Sequence, residues 1–70
     1  MLLGPDEIAQ RIQYQHRPGW QVWYGRATRQ FWAMALWVPG PNALLGAAAP
    51  GAIEAAMATF ERLYPKHGRQ

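Results

Sequence analysis

The chain contains no cysteine and no serine, a single lysine, two histidines and four carboxylates. Without cysteine there is no disulfide and no thiolate metal site, which also excludes the disulfide-stapled kind of secreted mini-protein. Without serine or cysteine, the remaining nucleophile candidates are Thr28 and Thr59, and neither has a histidine beside it in sequence. His16 falls at the end of a helical segment, where a cationic ring suits the negative end of the helix dipole, and His67 falls in the tail. No His or carboxylate pair has ligand spacing on a shared element. The expectation is therefore no catalytic residue, no metal, no cofactor and no enzyme.

Charge is also scarce. Seven Lys and Arg against four Asp and Glu give a net charge of +3, spread from Arg11 to Arg69 without a run. Such a balance permits nucleic-acid binding without announcing it. Residues 30–53 carry no charge at all, a length that could span a bilayer. Pro39-Gly40-Pro41-Asn42 breaks that stretch in the middle, where freed backbone groups would have no partner in lipid, so no membrane association is expected. The first residues lack a basic region and reach Asp6 and Glu7 early, unlike a signal peptide. A cytoplasmic location is the expectation.

Seventy residues make one domain, 1–70, with 65–70 as a flexible tail. A chain this short buries only about 60% of the surface its unfolded form exposes. Tight packing or oligomerisation must supply what disulfides do not.

What the chain has in quantity is aromatic residues, and all four tryptophans lie between Pro18 and Val38. Gly4-Pro5-Asp6-Glu7 reads as a helix start, with Pro at the first helical position and acids at the positive end of the dipole. Ile8, Ala9 and Ile12 form a narrow apolar stripe, enough to cover a sheet edge. Arg17-Pro18-Gly19-Trp20 ends that helix as a type II turn. Trp20 to Tyr24 is a strand, with Trp20, Val22 and Tyr24 on one face and Gln21 and Trp23 on the other. Gly25 to Thr28 is a hairpin loop, and Arg29 to Val38 is the returning strand.

In that second strand alternation does not choose an inside. Phe31, Ala33, Ala35 and Trp37 oppose Trp32, Met34, Leu36 and Val38. Residues 39–42 form a loop, and 43–47 is either a short third strand or a connection. From Pro50 to Tyr64, Ile53, Ala56, Met57, Phe60, Leu63 and Tyr64 follow helical spacing, and Pro65 stops the helix.

The fold class is therefore α+β: helix, β-hairpin, a short third strand if 43–47 is one, then helix. The expected form is a small antiparallel sheet with both helices on one face. The expected core is Ile8, Ile12, Val22, Tyr24, Phe31, Ala33, Ile53, Met57, Phe60 and Leu63. Trp23, Trp32 and Met34 are left on the far face, and with Trp37 they are the candidate interface. Trp and Arg dominate interface hot spots, so a homo-oligomer or a protein partner is the first functional expectation. The alternative is an RNA or DNA ribbon in which Trp23 and Trp32 stack bases while Arg26 and Arg29 meet phosphates.

The run His16-Arg17-Pro18-Gly19-Trp20-Gln21-Val22-Trp23-Tyr24-Gly25, followed by Thr28 and Phe31-Trp32-Ala33, resembles short uncharacterised proteins of GC-rich Gram-positive bacteria. In these a Pro-Gly-Trp turn joins a short helix to an aromatic hairpin and a C-terminal helix. The resemblance covers roughly a quarter of the chain and implies a regulatory accessory role without any known chemistry. This chain departs from that pattern in its Pro-rich 39–42 loop and Ala-rich 43–49 stretch. The element order is also that of double-stranded-RNA-binding modules, an analogy of fold alone. Those modules carry a basic cluster near the last helix, where this chain has Glu54 and Glu61 with only Arg62.

Overall fold

The computed structural model describes residues 3–66. Of the expected tail, 67–70 lie outside the described residues, and His67 with them. Helix α1 spans Pro5–Gln15, strand β1 Trp20–Gly25, strand β2 Gln30–Ala35, strand β3 Leu44–Ala47 and helix α2 Pro50–Leu63, with one 3₁₀ turn at Pro41–Ala43 before β3. The sheet is antiparallel in the order β1-β2-β3. The α+β architecture is the one expected, and 43–47 resolves as a strand preceded by a tight turn.

Local chemistry sets the element ends. Pro5 sits in the first turn of α1, and the Glu7 carboxylate accepts the Gly4 N–H at 2.8 Å. This satisfies a donor at the dipole's positive end. Gly19 adopts φ +107°, the positive value the turn demands of glycine, and the Arg17–Pro18 peptide is cis, a feature the expected type II turn did not include. The hairpin closes over four residues. The Arg29 N–H reaches the Gly25 carbonyl at 2.7 Å, and Arg29 itself takes φ 57°.

β2 is shorter than the expected Arg29 to Val38. Its ladder with β1 ends at Trp20↔Ala35, because β1 has no residue left to pair once Gly19 turns away. One further bond, from the Leu36 N–H to the Gly19 carbonyl at 2.7 Å, closes the ladder. The chain then turns.

The core lies between the sheet and the two helices. α1 lies over β1, and α2 over β3 and β2. Ala9, Ile12, Trp20, Val22, Phe31, Ala33, Ala35, Ala43, Ile53, Met57 and Phe60 are buried. Ile8 and Tyr24 are half-buried against them, so nine of the ten expected core residues contact this layer. Leu63 is the exception at 69% exposed. It lies about 80° round the helix from Ile53, on the flank of α2 rather than its underside.

Trp20, Ala9, Ala35 and Ala43 join the core without having been expected there. Ala9 lay on the expected apolar stripe of α1 but was left out of the expected core, and the burial of all three alanines reflects how closely the helices approach rather than their own size. Lys66, expected in the tail, is tied down: its ammonium bonds the Pro18 carbonyl at 3.3 Å and the Glu61 carboxylate at 3.2 Å.

Ile53 and Met57 are the largest side chains with no solvent exposure. Truncation of either to alanine is expected to cost about 2–5 kcal/mol. A domain of this size holds a total stability of roughly 4–10 kcal/mol. Thermal unfolding followed by circular dichroism should therefore show I53A with a transition lowered by tens of degrees or lost. An unchanged transition would place the core elsewhere.

Candidate functional site: the outer aromatic face

Because strand side chains alternate, burying Val22, Phe31 and Ala33 under the helices sends their neighbours to the other side. Register assembles these into rows. Trp23 pairs with Trp32, which pairs with Gly46. Gln21 pairs with Met34, which pairs with Leu44. The outer face thus reads Trp–Trp–Gly over Gln–Met–Leu, and none of the six is charged. Trp23 and Met34 are each 36% exposed and Leu44 43%. Beyond the second row the patch runs into a shallow groove formed by Met34, Leu36, Val38, Gly40, Ala43 and Leu44.

Trp32 is the fixed centre of this face. A Cβ on Gly46 would fall 2.6 Å from its Cζ3 and 2.9 Å from its Cε3, while a Cβ on Gly25 would fall 2.7 Å from its Nε1. The indole therefore lies across three strands, its six-membered ring over β3 and its pyrrole edge at β1. Two glycines without side chains make the bed it lies in. Its N–H donates to the Thr28 hydroxyl at 3.1 Å, and that hydroxyl in turn donates to the Gly25 carbonyl at 3.4 Å. The one polar atom of the ring is thus satisfied within the chain, and what Trp32 offers outward is π-surface.

Trp37 is placed differently from the expectation. It is on the helix side, the side of Phe31, Ala33 and Ala35 whose parity it shares, and packs against the core. Its ring meets Trp20 edge-on at 5.1 Å between centroids and Phe60 at 5.9 Å, and Phe60 also meets Tyr64 at 4.7 Å. Its N–H donates to the Tyr64 carbonyl at 2.8 Å. Trp37 therefore belongs to a structural knot and not to the outer patch of Trp23, Trp32 and Met34.

That knot is closed by Glu61. Its carboxylate accepts the Trp20 indole N–H at 2.7 Å and faces Lys66 at 3.2 Å. Partial burial pushes the Glu61 carboxyl up. The hydrogen bonds from Trp20 and Lys66, with the charges of Lys66 and His16, outweigh it and hold the group below its ordinary value of 4.5. His16 sits at the end of α1 with Nε2 3.3 Å from the Glu54 carboxylate, so it ties α1 to α2.

The two arginines of the alternative ribbon do not act together. Arg26 is bonded to Asp6 at the start of α1, which draws it toward the helices. Arg29 is exposed in the hairpin turn. Among the described residues, no group of three or more His, Asp and Glu stands close enough to hold a metal ion, and no helix is long and apolar enough to cross a membrane. Comparison with protein-family models, with curated proteins and with solved structures finds no match to this chain.

The role of Trp32's glycine bed was not readable from the sequence. Gly25 and Gly46 are spaced as ordinary turn and strand glycines, and only register brings both to one ring.

Two outcomes follow from this geometry. Gly46→Ala forces the indole of Trp32 to move, at an expected cost of about 1–3 kcal/mol. Denaturant unfolding and a shifted tryptophan emission spectrum should report it, and an unchanged spectrum would contradict the placement of the ring. The second concerns acid. The folded Glu61 carboxyl titrates below the unfolded one, so its contribution is fully present above pH 4.5. It is lost as pH falls further, through the folded value. Glu61→Gln should therefore be less stable than the parent at neutral pH, and the gap should narrow as pH falls below 4.5. A gap independent of pH would show that the charge of Glu61 plays no part.

Proposed function

We propose that the domain is a non-enzymatic interaction module of the cytoplasm, whose outer sheet face binds an apolar protein surface in a regulatory or accessory role. One observation carries this reading. Trp23, Trp32, Met34 and Leu44 form a continuous uncharged patch on the side of the sheet opposite both helices. Contiguous apolar patches of this kind mark interaction sites in small soluble domains. Aromatic residues and Met are the types enriched at interface centres.

The chemistry of the patch also says what kind of partner suits it. Trp32 has no free polar atom to offer, and no charge stands among the rows. Recognition would rest on shape and apolar contact, with Gln21 as a polar margin. A nucleic-acid strand would need phosphate partners beside the stacking rings. Arg26 is held by Asp6, which leaves Arg29 alone near the hairpin. The resemblance to short Gram-positive proteins adds no chemistry to either reading, and the protein partner is favoured by the charge pattern.

The test uses two exposed positions whose loss leaves the core intact. Immobilised wild-type domain is expected to retain a protein from cell extract that both Trp23→Lys and Met34→Lys fail to retain, with all three showing the same thermal transition. Mixed-sequence RNA and DNA are expected to leave tryptophan emission unchanged at low and high salt. Salt-sensitive quenching that Trp23→Lys abolishes would assign the face to nucleic acid. Retention equal in all three proteins would remove the face from binding altogether.

A further inference from the structure

The sheet has two edges, and they are finished differently. Along an antiparallel strand the N–H and C=O of one residue point the same way, and the direction alternates from residue to residue. The Leu36 N–H reaches Gly19, on the β1 side, so the even residues of β2 serve β1 and the odd ones serve β3. Phe31 and Ala33 pair with Ala47 and Leu45, which leaves the backbone groups of Leu44 and Gly46 pointing away from the sheet.

At the opposite edge the corresponding group of β1 is occupied. The Val22 N–H donates to the Gln13 side chain of α1 at 2.8 Å. β1 is thus guarded by the helix beside it, and β3 is not.

Natural edges are usually blunted by Lys, Pro, a bulge or an inward charge. β3 has none of these in Leu44–Ala47, and the uncharged stretch extends from residue 30 to 53. We infer that the β3 edge pairs antiparallel with the β3 edge of a second copy of this chain, giving a continuous six-stranded sheet in a closed dimer. Three features select a second copy over a stray peptide.

The first is self-complementarity. A two-fold axis through Leu45 sets Leu44 of each copy opposite Gly46 of the other, so a bulky side chain meets the position that has none. Leu44 then lies at the edge of the Trp32 ring seated over that glycine. The second is the guarded β1 edge. It blocks β3 from meeting β1 of the next copy, the head-to-tail arrangement that would grow fibres.

The third is the flank of α2. His16 and Trp20 mark the α1 side of this helix at Glu54 and Glu61. The opposite flank, above the β3 edge, carries Ala52, Ala56, Thr59 and the exposed Leu63, again without charge. α2 lies over β2 and β3, so the two-fold sets the two α2 helices about two strand spacings apart, ~10 Å. That is the upper end of ordinary helix packing. Leu63, 69% exposed in the single chain, becomes buried in this pair.

This inference concerns the edge, which shares Leu44 with the outer face but does not rest on the outer-face reading. Its test uses the wild-type chain and the absence of native cysteine. Sedimentation across a concentration series should show a monomer–dimer equilibrium. Amide exchange should slow at Leu44 and Gly46 as the dimer forms, and Leu45→Cys should give a disulfide-linked dimer under mild oxidation. Leu44→Lys should weaken dimerisation at least ~10-fold in Kd, while Trp23→Lys should leave it unchanged. A chain that stays monomeric at its solubility limit overturns the proposal. So does a dimer that Trp23→Lys dissociates while the Leu44 and Gly46 amides still exchange freely, although that result would support the outer face as a self-binding surface.

Discussion

The arrangement of this domain depends on two alanines. Ala33 and Ala35 of β2 are fully buried, and with no bulk at these two positions of the middle strand the helical layer can settle close to the sheet beyond Phe31. Ile53, Met57 and Phe60 fill the space from the α2 side, and Ile12 from α1. Once the small residues of β2 are inward, the period of two leaves no choice for the rest. Trp32 and Met34 must face outward, and Trp23 and Leu44 follow through register. A one-residue slip would bring Trp32 and Met34 under the helices, where the positions of Ala33 and Ala35 leave room only for methyl groups. The outer aromatic face is therefore a consequence of how the core is packed.

The second constraint is how so short a chain holds its ends. Trp20 opens β1, Trp37 follows β2, and Phe60, Glu61 and Tyr64 close α2, yet all meet in one place. Edge-on aromatic pairs contribute about 0.5–1.5 kcal/mol each beyond burial. A hydrogen bond to a charged group adds roughly 1.5–3 kcal/mol. By contrast, an exposed pair such as Arg26 with Asp6 contributes about 0–1 kcal/mol. The aromatic knot therefore governs stability, and the Arg26 pair matters mainly for where it holds the guanidinium. In a chain without disulfides the knot joins segments more than 40 residues apart, from Trp20 to Glu61.

Most of the fold was legible because it rests on periodicity and turn residues. Pro5, Gly19, Pro50 and Pro65 mark helix ends and turns by mechanisms that act locally. Ile53, Met57 and Phe60 keep one helical face whatever they pack against. What could not be read was set by length and register. The β1 ladder runs out at Trp20, and nothing in Gln30 to Val38 announces that β2 must stop at Ala35. Trp37 was assigned to the outer patch against its own period, since it shares the parity of Phe31, Ala33 and Ala35, and it packs with them on the helix side. Leu63 was misplaced for the opposite reason, since its spacing fits a broad apolar stripe but the layer beneath α2 is narrower than that. Of the outer patch, Trp23 followed from the alternation of β1, whereas Trp32 and Met34 needed Phe31 and Ala33 to be taken as the inward set, a choice that alternation in β2 left open. The glycine bed and the Leu44 row required knowledge of which residues stand opposite.

On the two proposals, the outer face and the β3 edge would divide the requirements of recognition between them. An apolar surface gives affinity but little address, because dispersion and burial are non-directional. Backbone donors and acceptors along an edge give register and direction, yet a strand of four residues offers too few of them to hold a partner alone. Here the two meet at Gly46. Its missing side chain lets Trp32 lie flat, and the same absence leaves a notch beside the open edge that a leucine can enter. Any residue larger than glycine there would both lift the indole and close the notch. The aromatic face and the edge are thus linked through a single position, and a substitution at Gly46 disturbs both at once.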